Sequence, residues 1–222
     1  MIWFMISKGG PVMVPIILGS ILGLAIIFER AMMLISLSSQ EAQVCLAQVV
    51  HEMRQGHLAE ALAAARPIDH PVAAILRRGL EQWGQPISVV ERGMEQVAQQ
   101  QVRKMETWLG GLASVITVEP MLGFLGTITG LIRAFMAWEA AGAKVTVSVL
   151  AGGIYEAMIT TAAGLIIAIP FLMAHNAFIS RIKRITGQMT DAGNELLELY
   201  ARQHPMDPSH ESSRHTRLPA QS

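Results

Sequence analysis

The chain has 222 residues, of which 51% are hydrophobic and only 15% charged, and its 17 basic side chains balance 17 acidic ones. Soluble globular domains carry about 25% charged residues, so the composition argues against an ordinary soluble domain, and a net charge of zero leaves no electrostatic footprint for nucleic acid. The single cysteine, Cys45, excludes an internal disulfide framework.

Residues 1–10 read as a short amphipathic lead-in. The apolar run of residues 1–6 has no basic region before it, and the later apolar stretch has no small-residue cleavage site after it, ending instead in Glu29 and Arg30. It is therefore expected to be a retained first membrane helix, residues 11–35, and not a secretory signal. No charge occurs between Val12 and Phe28, and about 20 apolar residues in a helix suffice to cross a hydrocarbon layer of about 30 Å.

Residues 36–107 change character. Apolar side chains recur at helical spacing (Val44, Ala47 and Val50, then Leu58, Ala61, Leu62 and Ala65) with polar residues between them. Gly56, the stretch 67–71 and the stretch 84–86 break the pattern, which predicts three or four short helices, the last running from about Ile87 into the next span. A second membrane helix is expected over 108–138, bracketed by Trp108 and Trp138, whose indoles prefer the headgroup zone. Glu119-Pro120 interrupts it, and Arg133 lies near its far end. A third apolar stretch, 145–180, is longer than a bilayer core and is expected to project into the cytoplasm, with a further cytoplasmic helix over 181–203. Residues 204–222, rich in Pro, Ser and His, have the composition of a disordered tail. The predicted fold is an all-α membrane protein with three transmembrane helices, the second and third extending into a small cytoplasmic helical domain. Lys and Arg gather in 36–107 and just after the third span, which orients the N-terminus outward and the C-terminus toward the cytoplasm.

The third span carries the chemical signal. Ser148, Gly152, Glu156, Thr160 and Gly164 recur every four residues, a spacing expected to place them along one helix face. Such small and hydroxylated residues are expected to face another helix or a wet cavity. Thr161 flanks this stripe, about 140° from Glu156 on an ideal helix. A carboxylate inside an apolar span costs about 2.5–3.5 kcal/mol on insertion scales, and by default it marks an ion path. The bland alternative is a neutral acid bonding across a helix interface. In the second span, Gly123, Gly126 and Gly130 form a close-packing patch with Thr127 and Thr129. From the residues alone, Thr127 equally suits a polar conduit or a bond back to its own helix.

The stretch Glu119-Pro-Met-Leu-Gly-Phe-Leu-Gly-Thr-Ile-Thr-Gly-Leu-Ile-Arg-Ala-Phe135 resembles the second-span signature of the MotA/TolQ/ExbB proton-channel family. The stretch Leu150-Ala-Gly-Gly-Ile-Tyr-Glu-Ala-Met-Ile-Thr-Thr-Ala-Ala-Gly-Leu-Ile-Ile-Ala-Ile-Pro170 is similar to its third. Lys8-Gly-Gly-Pro-Val-Met13, Phe28-Glu-Arg30 and the three spans resemble the ExbB/TolQ branch. The resemblance implies a bacterial inner-membrane subunit that assembles as a homo-oligomer, expected to be a pentamer, around a single-span ExbD- or TolR-like partner. A TonB- or TolA-like protein would transmit the force. It also implies that Glu156, Thr161 and Thr127 face the central pore, with Thr160 and Ser148 as further hydroxyls, while Gly123, Gly126, Gly130, Gly152 and Gly164 pack the helices. Glu119, where many relatives have a small residue, and Arg133 depart from the pattern and are candidates for ion access or partner pairing.

Other candidates carry little. His51, Glu52 and His57 lack the spacing of a metalloprotease helix, and His204, His210 and His215 belong to the tail. No nucleophile–base set, cofactor motif or metal site is read from the chain, so no enzymatic activity is expected. The reading is a pore-forming subunit of a motor driven by the proton motive force; a non-conducting scaffold for an envelope complex is the alternative.

Overall fold

The computed structural model describes residues 9–142 and 147–203, with the side chains of 147–149 outside the description. The calls on residues 1–8, on the Ser148 side chain and on the tail 204–222 with its histidines therefore lie outside the described residues. Among those described, the elements are α1 (Met13–Ser36), α2 (Ser39–Arg54), α3 (Leu58–Ala65), α4 (Pro71–Glu81), α5 (Ile87–Glu106), α6 (Leu109–Ala141) and α7 (Val147–Gln203). The all-α class stands, and three of the helical stretches are long and apolar enough to cross a membrane. Between α1 and α6 lie four shorter helices, α2 to α5, separated from one another by the Gly and Pro breakers. The chain divides into two units, one of residues 1–36 and 104–182, the other of 37–103 and 183–222.

In the first unit, α1 buries Met13, Ile16, Gly23, Ile26, Arg30 and Leu34 along one stripe. Its other faces leave Leu18, Ile21, Leu22, Leu24 and Phe28 exposed, an apolar surface suited to lipid. Val12, Met13 and Ile16 pack with Ala163 of α7 and Leu122 of α6. Further along, Ile26 packs with Leu112, Val115 and Phe171. Gly23 gives room to the Phe171 ring, which would collide with any side chain there. At the end of α1, the buried Arg30 pairs with Glu29 and donates to the carbonyls of Lys104 (3.1 Å) and Met105 (3.4 Å). These carbonyls close α5, where the last turn has no intrahelical donors.

Glu119-Pro120 does not interrupt α6, which continues unbroken from Leu109 to Ala141. Proline removes one backbone donor, and spanning helices tolerate this because neighbouring helices and local adjustment satisfy the freed groups. Pro170 is likewise held inside α7.

The second unit has its own core, including Cys45, Val49, Met53, Leu76, Leu80, Ile185, Met189 and Leu196. Helix α4 starts with Pro71 in its first turn, and the His70 ring accepts the Val72 N–H at 3.2 Å. That arrangement satisfies one of the donors left over at a helix start. The Tyr200 hydroxyl donates to the Gln85 carbonyl, and Gln203 donates to that of Met53 at 2.6 Å, tying the end of α7 to the short helices.

Candidate functional site

Helices α6 and α7 run antiparallel with their backbones in close approach. A Cβ built on Gly130 would lie 2.7 Å from the Gly153 carbonyl oxygen and 2.9 Å from the Ala157 nitrogen. One on Gly123 would lie 3.0 Å from the Thr161 Cα, and one on Gly126 would overlap the Thr160 side chain. Gly164 faces the Glu119 backbone carbonyl. The glycine patch of α6 therefore packs against α7, as does Gly164.

Gly152 does not join this seam: nothing lies within 4 Å of where its Cβ would sit, and Gly153 takes the contact. The reason is helical phase. Each four-residue step overshoots a full turn by about 40°, so a long four-residue repeat winds off the face. Gly153, Ala157, Thr160 and Gly164 fall within about 60° of arc, whereas Gly152 lies about 120° from Gly164. Thr160 is buried in the seam, its hydroxyl donating to the carbonyls of Glu156 and Ala157, both at 3.0 Å.

The same phase separates the remaining polar groups. The Arg133 Nη1 donates to the Glu156 Oε1 at 2.6 Å, forming an ion pair across the seam. The Glu156 side chain is 12% exposed and that of Arg133 48%. Gly10, with φ +65°, lies directly over the pair; a Cβ there would run into the Glu156 carboxylate and stand 3.1 Å from the Arg133 Nη1. Leu122 and Ala163, which pack against α1, lie within about 20° of Arg133 and Glu156 on their own helices. The ion pair is thus on the α1 side of the α6–α7 seam.

Thr127 is about 120° from Arg133 on α6, and Thr161 about 140° from Glu156 on α7, which puts both threonines on the other side. Thr161 donates to the Gly123 carbonyl at 2.9 Å, a bond between helices. Thr127 donates to the Phe124 carbonyl of its own helix at 2.6 Å.

The ion pair is covered by Gly10, whose carbonyl accepts the Met13 N–H, so it sits where α1 begins, at one end of the three-helix packing. The carboxyl found midway is Glu119. It is 1% exposed and directed at Gly19 of α1.

Two contacts were not legible in the sequence: Gly10 over Glu156, and Gly19 against Glu119. The prior signal was the presence of glycines at both positions, Gly19 within a bulky apolar run and Gly10 just before one. No group of three or more His, Cys, Asp or Glu is arranged to hold a metal ion among the described residues.

The profile described as the MotA/TolQ/ExbB proton channel family matches residues 67–191. The chain is 31% identical over 199 residues to an ExbB-like biopolymer transport protein of Synechocystis, covering 87% of this chain and 76% of that one. It is 31% identical over 178 residues to an ExbB homologue of Methanothermobacter thermautotrophicus, covering 80% and 63% of the two chains. A shorter match, 40% identical over 95 residues, is to the Tol-Pal system protein TolQ of Haemophilus influenzae, covering 42% of this chain and 41% of the relative.

Proposed function

The chain belongs to the MotA/TolQ/ExbB proton channel family, and from that premise we propose that it is a pore-forming subunit of an inner-membrane motor driven by the proton motive force. The observation that carries the proposal is the Glu156–Arg133 pair, a carboxylate and a guanidinium joined at 2.6 Å between two apolar helices. Ionisable groups in such helices are costly and by default mark ion paths.

The pair provides a charge-sensitive element. With Glu156 ionised, the two charges offset each other and their bond is favoured. Removing the Glu156 charge ends the attraction and leaves the Arg133 guanidinium without its counter-ion. On the other side of the seam, Thr127 and Thr161 supply hydroxyls to the core of a homo-oligomer, which we take to be a pentamer with the N-terminus of each subunit outside. There they would meet a single-span ExbD- or TolR-like helix carrying the exchanging carboxyl. The membrane potential contributes about 2.3 kcal/mol per charge per 100 mV, enough to bias which lumen contacts the partner prefers. A TonB- or TolA-like protein would carry the resulting movement outward.

Proton flux into liposomes containing the protein and its single-span partner tests this. The wild type is expected to conduct when the partner is present, and Glu156→Gln to lose most of that flux while still inserting and assembling. Full flux in Glu156→Gln would overturn the role given to this residue. Absence of flux in the wild-type complex would favour the non-conducting scaffold.

A further inference from the structure

Glu119 belongs neither to the Glu156–Arg133 pair nor to the threonine face. Gly164, opposite Glu119, lies eight residues from Glu156 on α7, an axial separation of about 12 Å. Along α1, Gly19 is about 9 Å from Met13 and about 17 Å from Arg30, so the carboxyl sits well inside the apolar length of the bundle. It lies between the two apolar clusters, that of Ile16 and Ala163 on one side and that of Ile26 and Phe171 on the other.

Its surroundings supply nothing to balance a charge. α1 presents Gly19, flanked along the same stripe by Ile16 and Gly23. α7 presents Gly164, with Ala163 and Ile167 beside it, and α6 itself contributes Val115, Leu122 and Gly123. None of these is titratable or charged. The nearby hydroxyls are already committed: Ser20 to the Ile17 carbonyl, Thr160 to those of Glu156 and Ala157, and Thr161 to that of Gly123. The Glu119 Oε2 is buried without a hydrogen-bond partner. An ionised carboxylate with neither cation nor donor is far more costly to bury than a neutral acid with one unmet bond.

We propose that Glu119 is a proton-binding site enclosed by the three apolar helices, whose protonation holds α1 against α6 and α7 and whose ionisation releases α1 at Gly19. Release falls on α1 because only backbone and apolar side chains hold it there, whereas α6 and α7 are joined across their seam by the Thr161–Gly123 bond and the Arg133–Glu156 pair. The proposal does not depend on proton conduction.

Two measurements on the full chain in lipid nanodiscs test it. In E156Q, the infrared C=O stretch of a protonated carboxyl is expected at neutral pH; its absence would overturn the proposal, whatever other variants do. Amide exchange across the segment 16–23, corrected for its intrinsic pH dependence, is expected to lose protection with rising pH. Once ionisation sets in, the loss should approach about tenfold per pH unit, as linkage to one proton requires. E119Q, a neutral isostere, should show no such loss. Equal pH profiles in wild type and E119Q would overturn the latch. Should E119Q fail to fold, the infrared result on E156Q decides alone.

Discussion

Thr160 and Thr161 are neighbours in the chain with different roles in the fold. Thr160 is buried against Gly126 and returns its hydroxyl to its own helix, while Thr161 reaches across to the Gly123 carbonyl. Thr127 resembles Thr160 in bonding locally, to Phe124. A hydroxyl that joins two helices contributes more to their association than one that serves its own backbone. Thr161→Val is therefore expected to lower stability by about 1 kcal/mol. Thr127→Val should stay within about 0.5 kcal/mol of wild type. Reversible unfolding in mixed micelles would measure both, and equal losses would show that the Thr161–Gly123 bond carries no special weight.

Between elements, backbone approach decides. α6 and α7 come close enough that a Cβ on Gly130 would stand 2.7 Å from the Gly153 carbonyl, whereas the position of a Cβ on Gly152 is open. Gly130→Ala must push the helices apart, with an expected loss of about 1–3 kcal/mol. Gly152→Ala leaves the pair in register and, by favouring the helix, stabilises the isolated subunit by up to about 1 kcal/mol. Unfolding of the two variants side by side separates seam from non-seam, and a large loss in Gly152→Ala would contradict the assigned helical phase. Length belongs to the same scale. At 57 residues α7 rises about 85 Å, far more than a hydrocarbon layer. Accordingly it contributes to both units, with 147–182 in one and 183–203 in the other.

For the molecule as a whole, the first unit combines an apolar outer surface with polar groups gathered at the α6–α7 pair. Leu18, Leu22 and Phe28 of α1 are exposed without being polar, as a lipid-facing helix requires. If Thr127 and Thr161 line a shared watery core, a cysteine at Thr127, in a Cys45→Ser background, should react with a small water-borne thiol reagent in the assembled protein. A cysteine at Leu18 should react only with a lipid-soluble one, because thiolate chemistry needs water. Identical behaviour at the two positions would exclude the watery core. The second unit, whose buried side chains form a conventional core, is not expected to respond to either substitution.

The sequence by itself determined the helical class, the three apolar helices and the family. Each is a property of run length, periodicity or contiguous motif, and each survives whatever neighbours the chain acquires. It also pointed to Glu156 and to the glycines of the second apolar helix. What only the tertiary structure decided is which side chains meet. Periodicity fixes a residue's angle on its own helix, but the opposing surface comes from residues distant in the chain: Arg133 for Glu156, Gly19 for Glu119, Gly153 for Gly130. The regular four-residue spacing in the last helix suggested one continuous face, yet the accumulated drift put Gly152 off the seam and Gly153 onto it. Position along the bundle was set the same way, because the packing of α1 against its neighbours put Glu156 beneath Gly10, where α1 begins, and Glu119 against Gly19, farther along it.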